Sequence, residues 1–363
     1  MSKTNFLEDI NFNNVDSVSY PPNDTNGIDR PYLCCAVGPP GRGKTYNLCK
    51  LIQGQIRDRE IDKLWICTPT YHNNKGYFDT LDIKKEICED MNDAYGFIEK
   101  LKEEQLKIKN IWKQIHEQFP NLEEWIKFYK FMCKNEEIKK NATMRHTLLQ
   151  NVPLTLDAVV KNYNKQNNIP EEKDLLTESE FIIDACDKKG GPENYYNSPP
   201  IALLFCDDIQ GSKLMSNSKK NPFINFVIKF RHYFCSIIFG VHSISNGLPL
   251  IIRPCITDWL VFKVDDPKAI KKIHEEAFGS IGNPDDFEDM FKNTIDGETH
   301  RFLVTHKKGL PMKARLNWNI MFNDANELLE PFKKEDVNNK KRNLNEFTFL
   351  DNKNKKQKIN INF

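Results

Sequence analysis

Gly38-Pro39-Pro40-Gly41-Arg42-Gly43-Lys44-Thr45 is the stretch on which the rest of the chain turns. Its spacing is GxxxxGK[ST]. The apolar run Tyr32 to Val37 precedes it and reads as a buried strand, while Lys44 to about Arg59 reads as a helix. A glycine-rich bend between a strand and a helix is the setting in which this spacing has physical meaning. Glycines let backbone N–H groups turn toward an anion, and the first turn of the helix adds a favourable dipole. Lys44 is then placed to bridge the β and γ phosphates of a nucleoside triphosphate, and Thr45 to hold Mg²⁺. Gly38 through Thr45 are therefore the expected nucleotide contacts, with ATP and Mg²⁺ as the expected cofactors. A glycine-rich turn that merely caps a helix is the plainer alternative.

Outward from this bend the pattern alternates. Lys63 to Thr68 reads as a second strand, ended by Pro69. Ile201 to Cys206, Tyr233 to Val241 and Trp259 to Lys263 read as further strands, with helical stretches at Pro222 to Phe230 and Pro267 to Phe278. Arg301 to Thr305 and Lys313 to Trp318 read as a terminal hairpin. Strands alternating with helices predict an α/β fold with a mainly parallel central sheet covered on both faces.

Residues 81–195 interrupt this alternation and read as a mainly helical insertion. Ala94, Phe97, Leu101, Ile108, Trp112, Ile115 and Phe119 fall three, four or seven apart, one amphipathic stripe, continued by Trp125, Tyr129 and Met132. The stripe predicts packing on the core, and a partner- or DNA-contacting insertion is the sharper alternative. Lys161 to Lys173 and Asp187 to Pro200 read as loops. The remaining boundaries are a loose leader over 1–30, core segments over 31–80 and 196–332, and a basic, disordered tail over 333–363.

The metal partner of the phosphate bend should be an acid ending a second apolar strand, and Asp207-Asp208 after IALLFC fits. Asp207 would orient Mg²⁺ and its waters, and Asp208 would act as general base on the attacking water. Aspartate is shorter than the glutamate more usual at the second position, which predicts slow hydrolysis. His242, at the end of SIIFGV with Ser243 behind it, is the candidate polar sensor for the γ phosphate or the water. Arg231 and Arg253 are candidates to complete a transition state across a subunit boundary, against ordinary surface or packing roles.

Composition narrows the class. Hydrophobic residues make up 39% and charged residues 28%, which supports a buried core under a solvated surface. The net charge of +1 leaves nucleic-acid contact to local basic patches such as Lys219-Lys220 and Lys307-Lys308. The 10 cysteines form no CxxC pair, so a zinc ribbon is not expected. Several lie in apolar runs, as small core side chains do, and predict a reduced, intracellular protein. No apolar run reaches the roughly 18 to 20 residues that span a bilayer, and the first residues lack a secretory apolar segment, so no membrane partner is expected.

Taken in order, these motifs resemble the poxvirus-type DNA-packaging ATPases of the FtsK–HerA superfamily. The resemblance rests on the phosphate bend, KLWICTPTY, the strand ending in two acids, Arg231-His232 before the sensor strand, the later Ile252-Arg253, and the closing FLVTHKKGLPMKARLNWN. It covers about Pro31 to Asn319, less well through the insertion. It implies a RecA-like P-loop NTPase core and a homo-oligomeric ring. It also implies ATP-driven translocation of double-stranded DNA, independent of sequence, into a preformed capsid, with capsid proteins as partners. By the same likeness the protein would act inside the host cell, in a viral factory or the nucleus, and associate with the virion. His242 departs from the glutamine usual at the sensor position. Two other classes compete: an AAA+-type remodeller, whose nucleotide motifs lie closer together, and a nucleotide-dependent switch or scaffold without turnover, which has no need of Asp208.

Overall fold

Leu33–Val37 (β1) is buried at every position, which is why its sequence is an unbroken apolar run rather than an alternating one. Its side chains still alternate between two cores. Leu33, Cys35 and Val37 face one, and Cys34 and Ala36 the other. The computed structural model describes residues 31–149, 178–218, 220–295, 300–307, 312–318, 320–329, 347–350 and 356–359. The expected leader, the expected loop from Lys161 to Lys173, Lys219, Lys308 and most of the basic tail lie outside them.

β1 belongs to a nine-stranded sheet. The other strands are Lys63–Cys67 (β2), Lys85–Cys88 (β3), Ala202–Asp207 (β4), Cys235–Val241 (β5), Asp258–Phe262 (β6), Phe302–His306 (β7), Lys313–Leu316 (β8) and Ile320–Phe322 (β9). The order is β3-β2-β4-β5-β1-β6-β7-β8-β9. The pairs from β3 to β6 are parallel, and β7, β8 and β9 continue the sheet antiparallel. The α/β class, the mainly parallel sheet and the closing hairpin are thus as the sequence predicts. All parallel strands point the same way, so their C-terminal ends form one edge, where ligands settle in open α/β sheets.

Helix Lys44–Arg57 (α1) covers one face through Leu48, Cys49, Leu51 and Ile52. Pro222–Ile228 (α7), Pro267–Ile273 (α9) and Pro284–Ile295 (α10) cover the other. The insertion has a core of its own. Its first helix, Ala94–Gln118 (α3), packs Ala94, Ile98 and Leu101 on the sheet, then Ile111 and Ile115 against Trp125, Phe128 and Met132 of Leu122–Leu149 (α4). Ser179–Lys189 (α5) and Pro192–Asn197 (α6) complete this second core with Ile182, Cys186 and Tyr195. One continuous helix thereby ties the two cores together.

Three expectations are corrected. The sheet extends past position 80, because Lys85–Cys88 pairs with β2 as an edge strand. Its charged, half-exposed residues disguise it, since an edge strand need not be apolar on both faces. Asp187 to Pro200 is not one loop: Pro192 starts helix α6, with its fixed φ suited to a first helical position. In α3 the buried stripe includes Gln105, while Phe97 and Trp112 are only partly buried. Within the tail, Phe347–Leu350 pairs antiparallel with Lys356–Ile359. The cysteines described as free include Cys34, Cys35, Cys67, Cys206 and Cys235, all buried. Among the described residues no helix is long and apolar enough to cross a membrane.

Candidate nucleotide site

The bend Gly38–Thr45 leaves β1 at the C-terminal edge of the sheet and enters α1. Gly43 has φ of 81°, a left-handed conformation that favours glycine and that turns the chain into the helix. At Gly38 a Cβ would come within 2.7 Å of Phe262 Cβ, so β6 lies tight under the loop. Lys44 curls back over the bend. Its Nζ donates to the Gly38 carbonyl at 2.7 Å and the Pro39 carbonyl at 3.0 Å, and lies 3.3 Å from His242 Nδ1. Burial holds the lysine below its ordinary pKa, against the pull of Asp207 and Asp208.

Asp207 ends β4, two strands from β1. The Thr45 hydroxyl donates to its Oδ2 at 2.8 Å. The carboxyl has room because its neighbour across the sheet is Gly240, where a Cβ would fall 2.0 Å from Asp207 Oδ1. Asp207 is 2% exposed. Its pKa is pushed up to about 6, first by burial and then by the charge of Asp208, with the Thr45 bond, Lys44 and His242 acting the other way. A buried carboxylate held costly in its charged form, beside a threonine hydroxyl and a phosphate cradle, is a hard-oxygen set suited to Mg²⁺. Asp207 and Thr45 are the residues that would hold it.

Asp208 follows in a left-handed conformation, φ of 55°, which aspartate tolerates better than most residues. The turn carries its carboxylate away from the strand. Thr70 Oγ1 donates to Oδ2 at 3.4 Å, and His242 Nε2 lies 3.1 Å from Oδ1. His242 therefore stands between Lys44, which only donates, and Asp208, which when ionised only accepts. Its Nδ1 faces the ammonium and its Nε2 faces the carboxylate. Strand β5 lies between β1 and β4, as expected of a strand tipped by a sensor, and this is what brings His242 there. Gln210 fixes the backbone, its Oε1 accepting from His242 N–H at 3.1 Å.

These groups line a cavity of about 480 Å³, with Asn74, Tyr77 and His300 on its walls. A larger hollow of about 740 Å³ is lined by residues of 211–217 and 245–250 and by Arg253, with no carboxylate among them. Asp207 and Asp208 both line the smaller one. Pro40, Gly41 and Gly43 face the smaller cavity, whereas Arg42 pairs with Asp265 at 3.2 Å on the outer side of the loop.

The two candidate arginines lie elsewhere. Arg231 is exposed on a short turn before β5, its guanidinium 5.2 Å from the Phe230 ring centre. A seven-residue strand, roughly 23 Å at ~3.3 Å per residue, separates it from the cavity of its own chain. Arg253 is 5% exposed and fully committed. It donates to the carbonyls of Ile244, Ser245 and Leu248 and pairs with Glu276 at 3.2 Å. The expectation that Arg253 reaches across a subunit boundary is corrected: a buried, bonded guanidinium is a structural clamp.

Thr70, Gln210, Gly240 and His300 escaped the sequence reading. Thr68-Pro69-Thr70 follows a strand adjacent to β4, and only sheet order reveals that Thr70 meets Asp208. Gly240, one residue before the end of β5, carried a signal that went unused: glycine inside a strand marks a close approach.

No family model and no curated protein matches the chain. Solved structures do. It is similar to the genome packaging NTPase B204 of Sulfolobus turreted icosahedral virus 2 in complex with AMP, at 9% identity over 80% of this chain and 98% of that one, TM-score 0.41. It is similar to the pCW3 conjugation coupling protein TcpA with ATPγS, at 10% identity over 77% and 58%, TM-score 0.39. EssC (ATPases 2 and 3) from Geobacillus thermodenitrificans matches at 13% identity over 84% and 42%, TM-score 0.34. A genome-packaging NTPase, the kind of protein the motif order resembles, is thus among the structures to which the chain is similar.

Proposed function

We propose that this chain is a Mg²⁺-dependent ATPase that moves double-stranded DNA, packaging a viral genome into a preformed capsid as a homo-oligomeric ring. The observation that carries the ATPase reading is convergence. Lys44 and Thr45 after β1, Asp207 and Asp208 at β4, and His242 after β5 meet at one cavity although up to 198 residues separate them. Lys44 leaves its two carbonyls and bridges β and γ phosphate oxygens. Thr45 and Asp207 hold Mg²⁺, which when bound neutralises phosphate charge. Asp208 takes the proton of the attacking water, and His242 couples that carboxylate to Lys44. A switch without turnover has no need of a second acid so placed.

The motor and packaging reading goes further and rests on the motif order. The closing strands favour a RecA-like core over an AAA+ one, because β7 to β9 extend the sheet where an AAA+ protein places a helical lid. Helices α3 to α6 form an appended helical unit with its own core. Arg231, exposed and remote from its own cavity, is the arginine suited to a neighbouring subunit. Lys220 and Lys307 are exposed at the edges of the core and suited to backbone phosphates.

Two measurements test this. Lys44→Ala should abolish turnover with the fold intact by circular dichroism, and retained turnover would place the phosphate site elsewhere. Double-stranded DNA should stimulate the wild-type ATPase at low salt and lose that effect as salt rises. An ATPase indifferent to DNA at every salt concentration would leave an ATPase but end the motor.

A further inference from the structure

Three cysteines stand in one row across the sheet, next to the nucleotide site. Cys67 is registered with Cys88 of β3 on one side and with Cys206 of β4 on the other. All three belong to the same core face, and Cys67 and Cys206 are fully buried. The Cys67 thiol shares hydrogen bonds with both neighbours. Adjacent strands lie about 4.8 Å apart, inside the roughly 4.4 to 6.8 Å between Cα atoms that a disulfide spans. A row is a geometry for pairing neighbours, whereas a shared metal ion needs its ligands around one point. The row also lies where the chemistry begins. Cys206 is followed by Asp207. Cys67 is followed by Thr68, whose hydroxyl meets Thr70 Oγ1 at 3.1 Å, and Thr70 in turn donates to Asp208.

We propose that Cys67 and Cys206 form a reversible disulfide under peroxide, which draws β2 and β4 together and slows turnover by displacing the two acids. The effect on turnover rests on the proposed ATPase, but the thiol chemistry does not. The Cys67 thiolate takes one oxygen from hydrogen peroxide, giving a sulfenic acid and hydroxide. The Cys206 sulfur then attacks that sulfur, the S–S bond forms, and the sulfenic hydroxyl leaves as water with the Cys206 proton. Two thiols are oxidised by two electrons, and peroxide is reduced to two waters. The hydrogen bond from Cys206 holds the Cys67 thiol below its ordinary pKa despite burial, and that from Cys88 adds to it. The thiolate is the reactive form. Cys88, on the edge strand, is 6% exposed, and its Sγ donates to the Asp90 carbonyl at 3.2 Å. It marks the side from which a small oxidant enters, and its own bond leaves Cys206 as the partner. Intracellular disulfides of this transient kind serve sensing rather than stability.

The test treats the full chain with hydrogen peroxide, alkylates the remaining thiols, and maps disulfide-linked peptides by mass spectrometry. Turnover is measured before oxidation, after it, and after dithiothreitol. A Cys67–Cys206 peptide is expected. Turnover should fall about 10²-fold, as a displacement of about 1 Å at a catalytic group can cost, and dithiothreitol should restore it. Reduced Cys67→Ala should turn over like reduced wild type and be unmoved by peroxide. Absence of the Cys67–Cys206 peptide overturns the assignment, and so does its presence with turnover intact. Inhibition that persists in Cys67→Ala, or that dithiothreitol does not reverse, overturns it too, as the mark of oxidation elsewhere or beyond the disulfide. If Cys67→Ala does not fold, the wild-type map and the recovery by dithiothreitol decide. A reduced wild type without turnover brings down the ATPase reading and the switch with it. A missing peptide in an active enzyme removes the switch alone.

Discussion

Replacing Asp207 with asparagine should stabilise the empty protein while disarming it. The carboxyl is buried and its pKa is raised from 3.8 to about 6. A shift of about two units corresponds to about 3 kcal/mol by which the charged form is disfavoured in the folded chain. The sign follows from linkage. A group whose folded pKa is raised adds stability below its unfolded pKa, and that stability is lost as pH rises through about 6. Asparagine keeps the shape, and its oxygen can still accept from Thr45, but it never ionises. Urea unfolding of wild type and Asp207→Asn, without nucleotide or Mg²⁺, should give matching midpoints near pH 4. By pH 7.5 the variant should be ahead, by up to about 3 kcal/mol. Adding Mg²⁺ and ATP should reverse the order, because only the wild type gains from a bound ligand. A variant no more stable than wild type at pH 7.5, or an advantage that persists on acidification, would refute the view of Asp207 as a desolvated carboxylate kept for a cation.

Asp208→Asn should bind ATP as tightly as wild type yet turn it over about 10² to 10⁴ times more slowly, the usual worth of a positioned base; equal turnover in both would remove the base role. Arg253→Ala should cost about 3 to 5 kcal/mol of stability, because it leaves Glu276 and three carbonyls without their guanidinium. A stable Arg253→Ala with lost turnover would instead restore a catalytic role across subunits. Gly240→Ala should abolish Mg²⁺-dependent turnover while leaving far-ultraviolet circular dichroism unchanged, since the new methyl must displace the Asp207 carboxyl.

Much of this was legible in the chain before it folded. The phosphate bend announces itself because its chemistry is local: glycines, a lysine and a threonine within eight consecutive residues, flanked by the strand and helix that aim them. The fully buried strands are legible for a related reason, since a strand covered on both faces has no polar positions to confuse the pattern. Asp207 and Asp208 are legible as acids ending such a strand. Edge strand β3 and helix α6 were not, because half-exposed residues carry no clean period and a proline reads equally as a break or a start.

Sequence alone determined which residues have the chemistry: Lys44, Thr45, Asp207, Asp208 and His242 are each readable from neighbours a few positions away. Tertiary structure alone decided which of them meet and which do not. Strand order set β5 between β1 and β4, so His242 reaches Lys44 and Asp208. The same order left Arg231 at the opposite edge, locked Arg253 into a clamp, and brought Thr70 and His300 to the cavity. Short-range patterns report burial and local conformation, whereas the pairing of strands far apart in the chain depends on packing that no short window of sequence contains.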